Sequence, residues 1–169
     1  KELIPKTIKH IFIISDRRER IETLRKIAKA VNSDKTMIFI NTKYDLEESL
    51  QKLQYHNYNV AALAGNIDKQ SKKKAVEDFQ NGRLQYLLAT DVAARGLQID
   101  HVSTVINVNL PEEPTEYLHR AGRCGRNNEQ GLCISIITEN ELNKIKKYQK
   151  AFNINIVQKR LYNGKIVSK

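Results

Sequence analysis

Short apolar runs rich in β-branched residues alternate with amphipathic stretches along most of the chain. The apolar runs predict strands at residues 8–15, 36–40, 59–63, 84–89, 104–108, 132–138 and 154–157. The run at 36–40 is nearly all apolar, which is typical of a strand buried on both faces. We therefore expect a sheet that is covered on both sides.

The amphipathic stretches predict helices at residues 16–32, 41–56, 68–81 and 139–151, and a further helix that begins at Pro114. Asp16 with Glu19, and Thr42 with Asp45, have the spacing of helix-start capping pairs. Residues 90–102 show no clear period. This alternation predicts an α/β fold with helices on both faces of a mostly parallel sheet. In such sheets ligands bind at the carboxyl ends of the strands.

The 169 residues carry 29 Lys plus Arg against 19 Asp plus Glu, a formal net charge of +10. With 40% hydrophobic and 28% charged residues, wholesale disorder is excluded and one domain over residues 1–157 is expected. Residues 158–169 are basic and weakly periodic, and we expect a loosely held tail. The charge favours an anionic partner such as nucleic acid, with a solvated basic surface as the alternative.

Neither an export signal nor a membrane-spanning apolar run is visible in the sequence. Cys124 and Cys133 have no Cys or His nearby at metal-ligand spacing, so we expect reduced thiols, no metal site, no membrane and a cytoplasmic location. The chain begins with Lys1 rather than Met, and we expect it to be part of a longer polypeptide.

Residues 119–126, His-Arg-Ala-Gly-Arg-Cys-Gly-Arg, are the strongest chemical signal. Arginine offers a planar fork of donors suited to phosphate oxygens, and glycine lets the backbone approach a ligand closely. This pattern favours an anion site. The alternative is a solvated basic turn in which Gly122 and Gly125 only end a helix.

A second group of polar residues follows the predicted strand 84–89. Thr90, Asp91 and Arg95 can bring a hydroxyl, a carboxylate and a guanidinium together at a strand end. A helix-capping Thr-Asp pair followed by an ordinary surface arginine explains the same residues equally well.

The segments Tyr-Leu-His-Arg-Ala-Gly-Arg-Cys-Gly-Arg and Leu-Leu-Ala-Thr-Asp-Val-Ala-Ala-Arg-Gly-Leu-Gln-Ile-Asp resemble motifs VI and V of the DEAD-box RNA helicases. Residues 37–43 resemble motif IV, and residues 63–73 resemble the family's stretch that ends in Gln-x-x-Arg. The resemblance runs from about residue 4 to residue 156. It implies the C-terminal RecA-like helicase domain, a three-layer sandwich with a mostly parallel central sheet.

The resemblance implies a role for each matching residue. Arg123 and Arg126 match the arginine fingers that reach the γ-phosphate of ATP held on the other RecA-like domain. His119 and Arg120 match residues that couple the two domains, and Asp91 and Arg95 match the interdomain network near the nucleotide. The residues matching RNA-backbone contacts are Asn41, Thr42, Gly65, Lys73, Thr90 and Gly96.

Three positions depart from the family pattern. Lys73 replaces an arginine, which keeps the charge and loses the bidentate fork. Gln98 replaces an aspartate that lies near the ATP ribose; it can still hydrogen-bond a hydroxyl, but it is neutral. Cys124 replaces a common threonine; we expect a tolerated replacement, and the alternative is a thiol exposed among arginines that is sensitive to oxidation.

The sequence contains no G-x-x-x-x-G-K-[ST] loop and no Asp-Glu-Ala-Asp run. ATP and Mg²⁺ are therefore expected to be bound mainly by a missing N-terminal RecA-like domain, and the chain alone is expected to be monomeric and inactive. The expected partners are that domain and single-stranded or duplex RNA. The alternatives are a non-catalytic module that binds RNA or docks a partner, and a DNA translocase, against which His119 argues.

Overall fold

One eight-stranded sheet runs through the computed structural model, which describes residues 4–64 and 66–169. The strands are β1 (Ile8–Ile14), β2 (Thr36–Phe39), β3 (Val60–Leu63), β4 (Tyr86–Ala89), β5 (Thr104–Asn107), β6 (Gly131–Ile137), β7 (Ile156–Tyr162) and β8 (Lys165–Ser168). Their order in the sheet is β3-β4-β2-β5-β6-β1-β7-β8. Neighbouring strands pair in parallel except β7 and β8, which are antiparallel.

Helices cover both faces of this sheet. They are α1 (Arg20–Val31), α2 (Lys43–Tyr55), α3 (Lys69–Gln80), α4 (Asp91–Ala94), α5 (Pro114–Ala121) and α6 (Leu142–Phe152). One buried cluster contains Leu24 of α1 and Leu53 of α2, and a second contains Phe79 of α3, Tyr117 of α5 and Tyr148 of α6. The predicted three-layer arrangement around a mostly parallel sheet is confirmed.

Most helix-start signals act as expected. Thr42 Oγ1 accepts the backbone N–H of Asp45 at 3.2 Å at the start of α2, and Pro114 opens α5. The predicted capping box at Asp16 and Glu19 is wrong. A 3-10 turn occupies Arg17–Glu19, so Asp16 lies too far ahead of α1, and its side chain accepts no capping hydrogen bond.

Residues 158–169 are part of the sheet, contrary to the expected loose tail. The predicted boundary after residue 157 falls inside β7, and β8 returns along it through a turn at Asn163 and Gly164. Both turn residues have positive φ, 50° and 73°, as two-residue hairpin turns require. Leu161 and Ile166 pack against the cluster that holds α1, which fixes the hairpin in place.

None of the helices in the described ranges is long and apolar enough to cross a lipid bilayer.

Candidate functional site

Arg120 joins three strand ends at the carboxyl edge of the sheet. Its side chain is 1% exposed, and Nε and Nη2 donate to the two carboxylate oxygens of Asp91 at 2.8 and 2.7 Å. Nη2 also donates to Asn41 Oδ1 at 2.8 Å, while Nη1 donates to Asn107 Oδ1 at 3.2 Å and to the Asn109 carbonyl at 2.8 Å. All five N–H groups are thus used inside the chain.

The hydrogen bonds around Arg120 occupy the side-chain groups of Asn41 and Asp91. Asn41 gives its amide oxygen to Arg120, donates its Nδ2 to the Leu110 carbonyl at 2.9 Å and its backbone N–H to Asn109 Oδ1 at 2.9 Å. Asp91 has both oxygens engaged by Arg120. In this arrangement Arg120 and Asp91 hold β2, β4, β5 and α5 together, which is a positioning role.

Arg123 is held differently, by carbonyls and an aromatic face. Nη1 donates to the Leu97 carbonyl at 3.1 Å and Nη2 to the Ala94 carbonyl at 3.3 Å, while the guanidinium lies 5.8 Å from the ring centroid of Phe39. Its buried Nε has no partner. No carboxylate in the described part of the chain forms an ion pair with it, and burial lowers its pKa from the usual arginine value.

Arg126 is exposed and crosses the end of α5. Its Nε donates to the Gly122 carbonyl at 2.7 Å. A Cβ at Gly122 would lie 3.2 Å from Arg126 Nη2 and 3.0 Å from the Leu118 carbonyl, so a side chain there would displace Arg126. Gly125 has a φ of 70°, and a Cβ would lie 2.5 Å from Ile8 Cγ1. Close approach and the positive φ therefore require glycine at Gly125, whereas at Gly122 a Cβ fits only if its neighbours move by a few tenths of an ångström.

Two cavities adjoin at Arg123. One, of about 440 Å³, lies between residues 96–100 and residues 118–126, and includes Arg126. The other, of about 330 Å³, is lined by Phe39, Asp91 and Arg95 among others, and both cavities include Gly96, His119 and Arg123. The structure thus brings the two arginines proposed as fingers to the same cavity.

His119 and Arg95 lie at the rim, where both contact Glu116. His119 Nδ1 is 3.7 Å from Glu116 Oε1, and Arg95 Nη2 is 3.4 Å from Glu116 Oε2. Both side chains are exposed, so these ion pairs contribute little to stability. His119 and Arg95 thus lie at the protein surface beside the two cavities.

The residues matched to RNA contacts are spread along the same edge of the sheet. Thr90 caps α4 by accepting the Ala93 N–H at 3.2 Å, and its hydroxyl proton stays available for donation. Thr42 and Lys73 are exposed, on α2's start and on α3, and Gly96 is exposed with a φ of 80°. Gly65 lies outside the described residues.

Gln98 lines the 440 Å³ cavity together with a carboxylate that sequence reasoning missed. Gln98 Nε2 lies 3.4 Å from Asp100 Oδ2, so a carboxylate is present near the position where the family places one. Phe39, under both Arg120 and Arg123, and the acceptor Asn107 were also missed. Only the proximity of Asp100 to Gln98 in the sequence was a usable signal.

The alternative of an exposed, oxidation-sensitive thiol at Cys124 is wrong. Cys124 is fully buried, its Sγ lies 3.3 Å from the Ala121 carbonyl, and burial raises its pKa to about 12. The helix α5 ends at Ala121, and Cys124 lies in the core while Arg123 and Arg126 line the 440 Å³ cavity. Cys133 is also buried and free, with its pKa raised by burial to about 11.

No group of three or more His, Cys, Asp or Glu side chains that suits a metal ion occurs among residues 4–64 and 66–169.

Residues 19–128 match the sequence profile of the family described as helicase conserved C-terminal domain. This chain belongs to that family. The domain is 34% identical over 160 residues to the DEAD-box ATP-dependent RNA helicase CshC of Bacillus cereus, an alignment that covers 95% of this chain and 41% of that protein. This helicase domain spans about two-fifths of the length of such curated relatives.

Solved structures show the same fold. The C-terminal domain of the DEAD-box protein Dbp5 matches with a TM-score of 0.85 at 29% identity, over 91% of both chains. S. cerevisiae Dbp5 bound to RNA and ADP BeF3 matches with a TM-score of 0.83 at 29% identity, over 91% of this chain and 42% of that one. The fold is therefore RecA-like, and the chain is a helicase C-terminal domain of the DEAD-box type.

Proposed function

We propose that this helicase domain is the half of an ATP-dependent RNA helicase that supplies Arg123 and Arg126 to ATP bound on an N-terminal RecA-like domain. In that arrangement the two domains close on ATP and RNA together, and the arginines stabilise charge that develops on the transferred phosphoryl group. The activity of the relatives, which are named ATP-dependent RNA helicases, supports this assignment.

One observation carries the proposal. Arg123 is a partly buried cation that lines a cavity and has no carboxylate partner among the described residues, whereas Arg120, three residues earlier, is fully paired. A desolvated charge costs free energy unless an opposite charge reaches it. Phosphate oxygens suit the remaining N–H groups of Arg123 and the exposed guanidinium of Arg126.

The residues of this chain suit the phosphate end of ATP and do not by themselves suit Mg²⁺, because the described residues lack a cluster of ligating side chains. We propose that the metal and most of the nucleotide are bound by the other domain. Gln98 and Asp100 at the same cavity offer acceptors for a sugar hydroxyl.

RNA binding is proposed along the strand-end edge, through the hydroxyl of Thr90, the exposed backbone at Gly96 and Thr42, and the ammonium of Lys73. These groups contact phosphates and sugars without reading bases, so little sequence preference is expected. The Dbp5 structure bound to RNA and ADP BeF3 supports this assignment by likeness.

The test uses the whole polypeptide that contains this chain. Arg123→Ala should lower RNA-stimulated ATP turnover by roughly a thousandfold or more, since an arginine finger contributes that much. Arg83→Ala is the matched control, because Arg83 is an exposed arginine paired with Asp78 on another part of the domain. Turnover of the Arg123 variant within about threefold of the parent would refute the finger assignment.

A separate measurement tests the domain alone. The 169-residue chain should show no ATP turnover above background, and appreciable turnover that Arg123→Ala abolishes would overturn the two-domain proposal. If the whole polypeptide binds RNA with a steep dependence on salt but never hydrolyses ATP, the non-catalytic RNA-binding module is the better assignment.

A further inference from the structure

A third cavity, of about 680 Å³, lies between the start of β1 and the segment that joins α6 to β7. It shares no lining residue with the two cavities at Arg123. Its volume is within the range of ligand-binding sites in proteins, roughly 300–1,000 Å³. Nothing in the proposed nucleotide and RNA chemistry uses it.

The walls of this cavity are apolar and partly open to solvent. Ile4, Ile8, Phe152 and Ile154 form much of the lining. Val157 belongs to the same wall and is 42% exposed, although it lies on a strand whose first residue, Ile156, is buried. Exposed aliphatic surface beside a concave apolar wall favours the insertion of an apolar group.

All the charge around the cavity is positive. Lys6, Lys9 and Lys159 line it, and no carboxylate of the described chain does. Lys6 and Lys9 are exposed, and Lys159 Nζ lies 3.5 Å from the hydroxyl of Ser168. Because three ammonium groups come from different parts of the wall, several carboxylates match them better than a single acidic head group does.

The wall also contains an unpartnered polar atom. His10 is 95% buried, with a relative exposure of 5%, and its Nδ1 lies 2.8 Å from the hydroxyl of Tyr117. Its other ring nitrogen, Nε2, has no hydrogen-bond partner. Whichever tautomer forms, Nε2 is an unpaired donor or an unpaired acceptor with almost no exposed surface, so a ligand's backbone group reaches it only if the cavity wall shifts.

We propose that this cavity docks an acidic peptide segment of a partner protein, which inserts one large apolar side chain beside Phe152 and Ile154 and sets its carboxylates against Lys6, Lys9 and Lys159. The three lysines favour this occupant over a fatty acid, which carries only one carboxylate. The proposal does not depend on ATP hydrolysis.

The docking site touches α5, the helix that holds Arg120. The ring of Phe152 stacks on that of Tyr117 at a centroid distance of 6.4 Å and an interplanar angle of 14°, and Tyr117 contacts His10. An occupant therefore changes the surroundings of Tyr117 as well as those of the cavity wall, which gives the experiment an internal readout.

The experiment titrates the 169-residue chain, labelled for NMR, with blocked hexapeptides that carry Phe, Leu, Ile or Met at the third position and Asp or Glu elsewhere. We expect at least one peptide to shift the Ile154 and Val157 amides and the ring signals of His10 and Tyr117 saturably. The double variant Lys6→Glu, Lys9→Glu should weaken binding by roughly tenfold.

The matched control is Lys26→Glu with Lys29→Glu, which makes the same change of charge at exposed positions of α1, on the other face of the sheet. Equal weakening in both double variants would show general charge attraction and overturn the proposal. Absence of saturable shifts, or equal binding of a peptide with Ser at the third position, would also overturn it. Binding of dodecanoate but of no peptide would reassign the cavity to a small amphiphile.

Discussion

Removal of Arg120 tests whether the hydrogen bonds at the strand ends hold the domain together. Arg120→Ala leaves the Asp91 carboxylate, which is 21% exposed, without its partner, and leaves the side-chain oxygens of Asn41 and Asn107 without a donor. Breaking a buried ion pair by removing one member costs about 3–5 kcal/mol. We expect the free energy of unfolding of Arg120→Ala to fall by about 4 kcal/mol.

A double-mutant cycle measures the interaction free energy between Arg120 and Asp91 separately from their other contacts. Asp91→Ala should cost about 3 kcal/mol, because it leaves a guanidinium that is 1% exposed with an unpaired charge. The variant with both changes has no stranded charge, so it should be more stable than the summed losses predict by about 2 kcal/mol. Urea unfolding followed by far-ultraviolet circular dichroism gives each value.

Arg95→Ala is the control for this cycle. Arg95 pairs with Glu116 at 3.4 Å but is 67% exposed, and its removal should cost less than about 1 kcal/mol. If Arg120→Ala costs no more than Arg95→Ala, or if the two changes at Arg120 and Asp91 are additive, the buried pair does not position the strand ends and the reasoning is refuted.

Three further predictions follow from burial and close contact. Cys124 should resist thiol reagents in the folded protein and react after unfolding, because burial raises its pKa to about 12; rapid labelling of the native domain contradicts this. Gly125→Ala should lower the free energy of unfolding by at least about 2 kcal/mol, since a Cβ would meet Ile8 Cγ1 at 2.5 Å. Gly164→Ala is the control: nothing lies within 4 Å of its Cβ, so it should cost only the roughly 1–2 kcal/mol of a positive φ. Equal losses in the two variants would show that the contact with Ile8 does not matter. Burial lowers the pKa of His10 from 6.5 to about 4, so between these pH values the unfolded chain binds more protons than the folded one. The free energy of unfolding should therefore fall by about 3 kcal/mol as the pH drops from 6.5 to 4. His10→Gln should lack this loss, and a variant with the same pH profile as the parent would contradict the prediction.

The layered fold was predictable because its signals are local. The apolar run at 36–40 forms a strand that is buried on both faces of the sheet. Thr42 and Pro114 stand at the starts of helices, as expected for a capping hydroxyl and for proline. The hairpin of β7 and β8 was missed because Lys159 and Arg160 interrupt the apolar pattern. The Asn163-Gly164 pair was a hairpin signal in the sequence, and the support of α1 for that hairpin is a long-range contact that no local pattern contains.

The site was predictable as a set of residue types and not as a geometry. The sequence gives no reason to distinguish Arg120, Arg123 and Arg126. In the structure every N–H group of Arg120 is hydrogen-bonded, Arg123 is partly buried without a carboxylate partner, and Arg126 is exposed. That ranking depends on Asp91 and Phe39, which come from other strand ends. Contacts made by the fold, and not by spacing along the chain, decide which arginine can meet a ligand.

The β7–β8 hairpin affects the tendency of the domain to aggregate. β1 is among the most apolar strands, and along Phe12 and Ile13 its outer backbone groups pair with Gln158 and Lys159 of β7. Cutting the chain after residue 157 would remove these partners and leave the backbone of a buried, isoleucine-rich strand unpaired at the border of the sheet. An unpaired strand at the border of a sheet pairs readily with other chains, whereas the exposed Lys165 on β8 discourages such self-association. We therefore expect residues 158–169 to protect the domain against aggregation. A domain cut after residue 157 should precipitate at concentrations at which the 169-residue chain remains in solution.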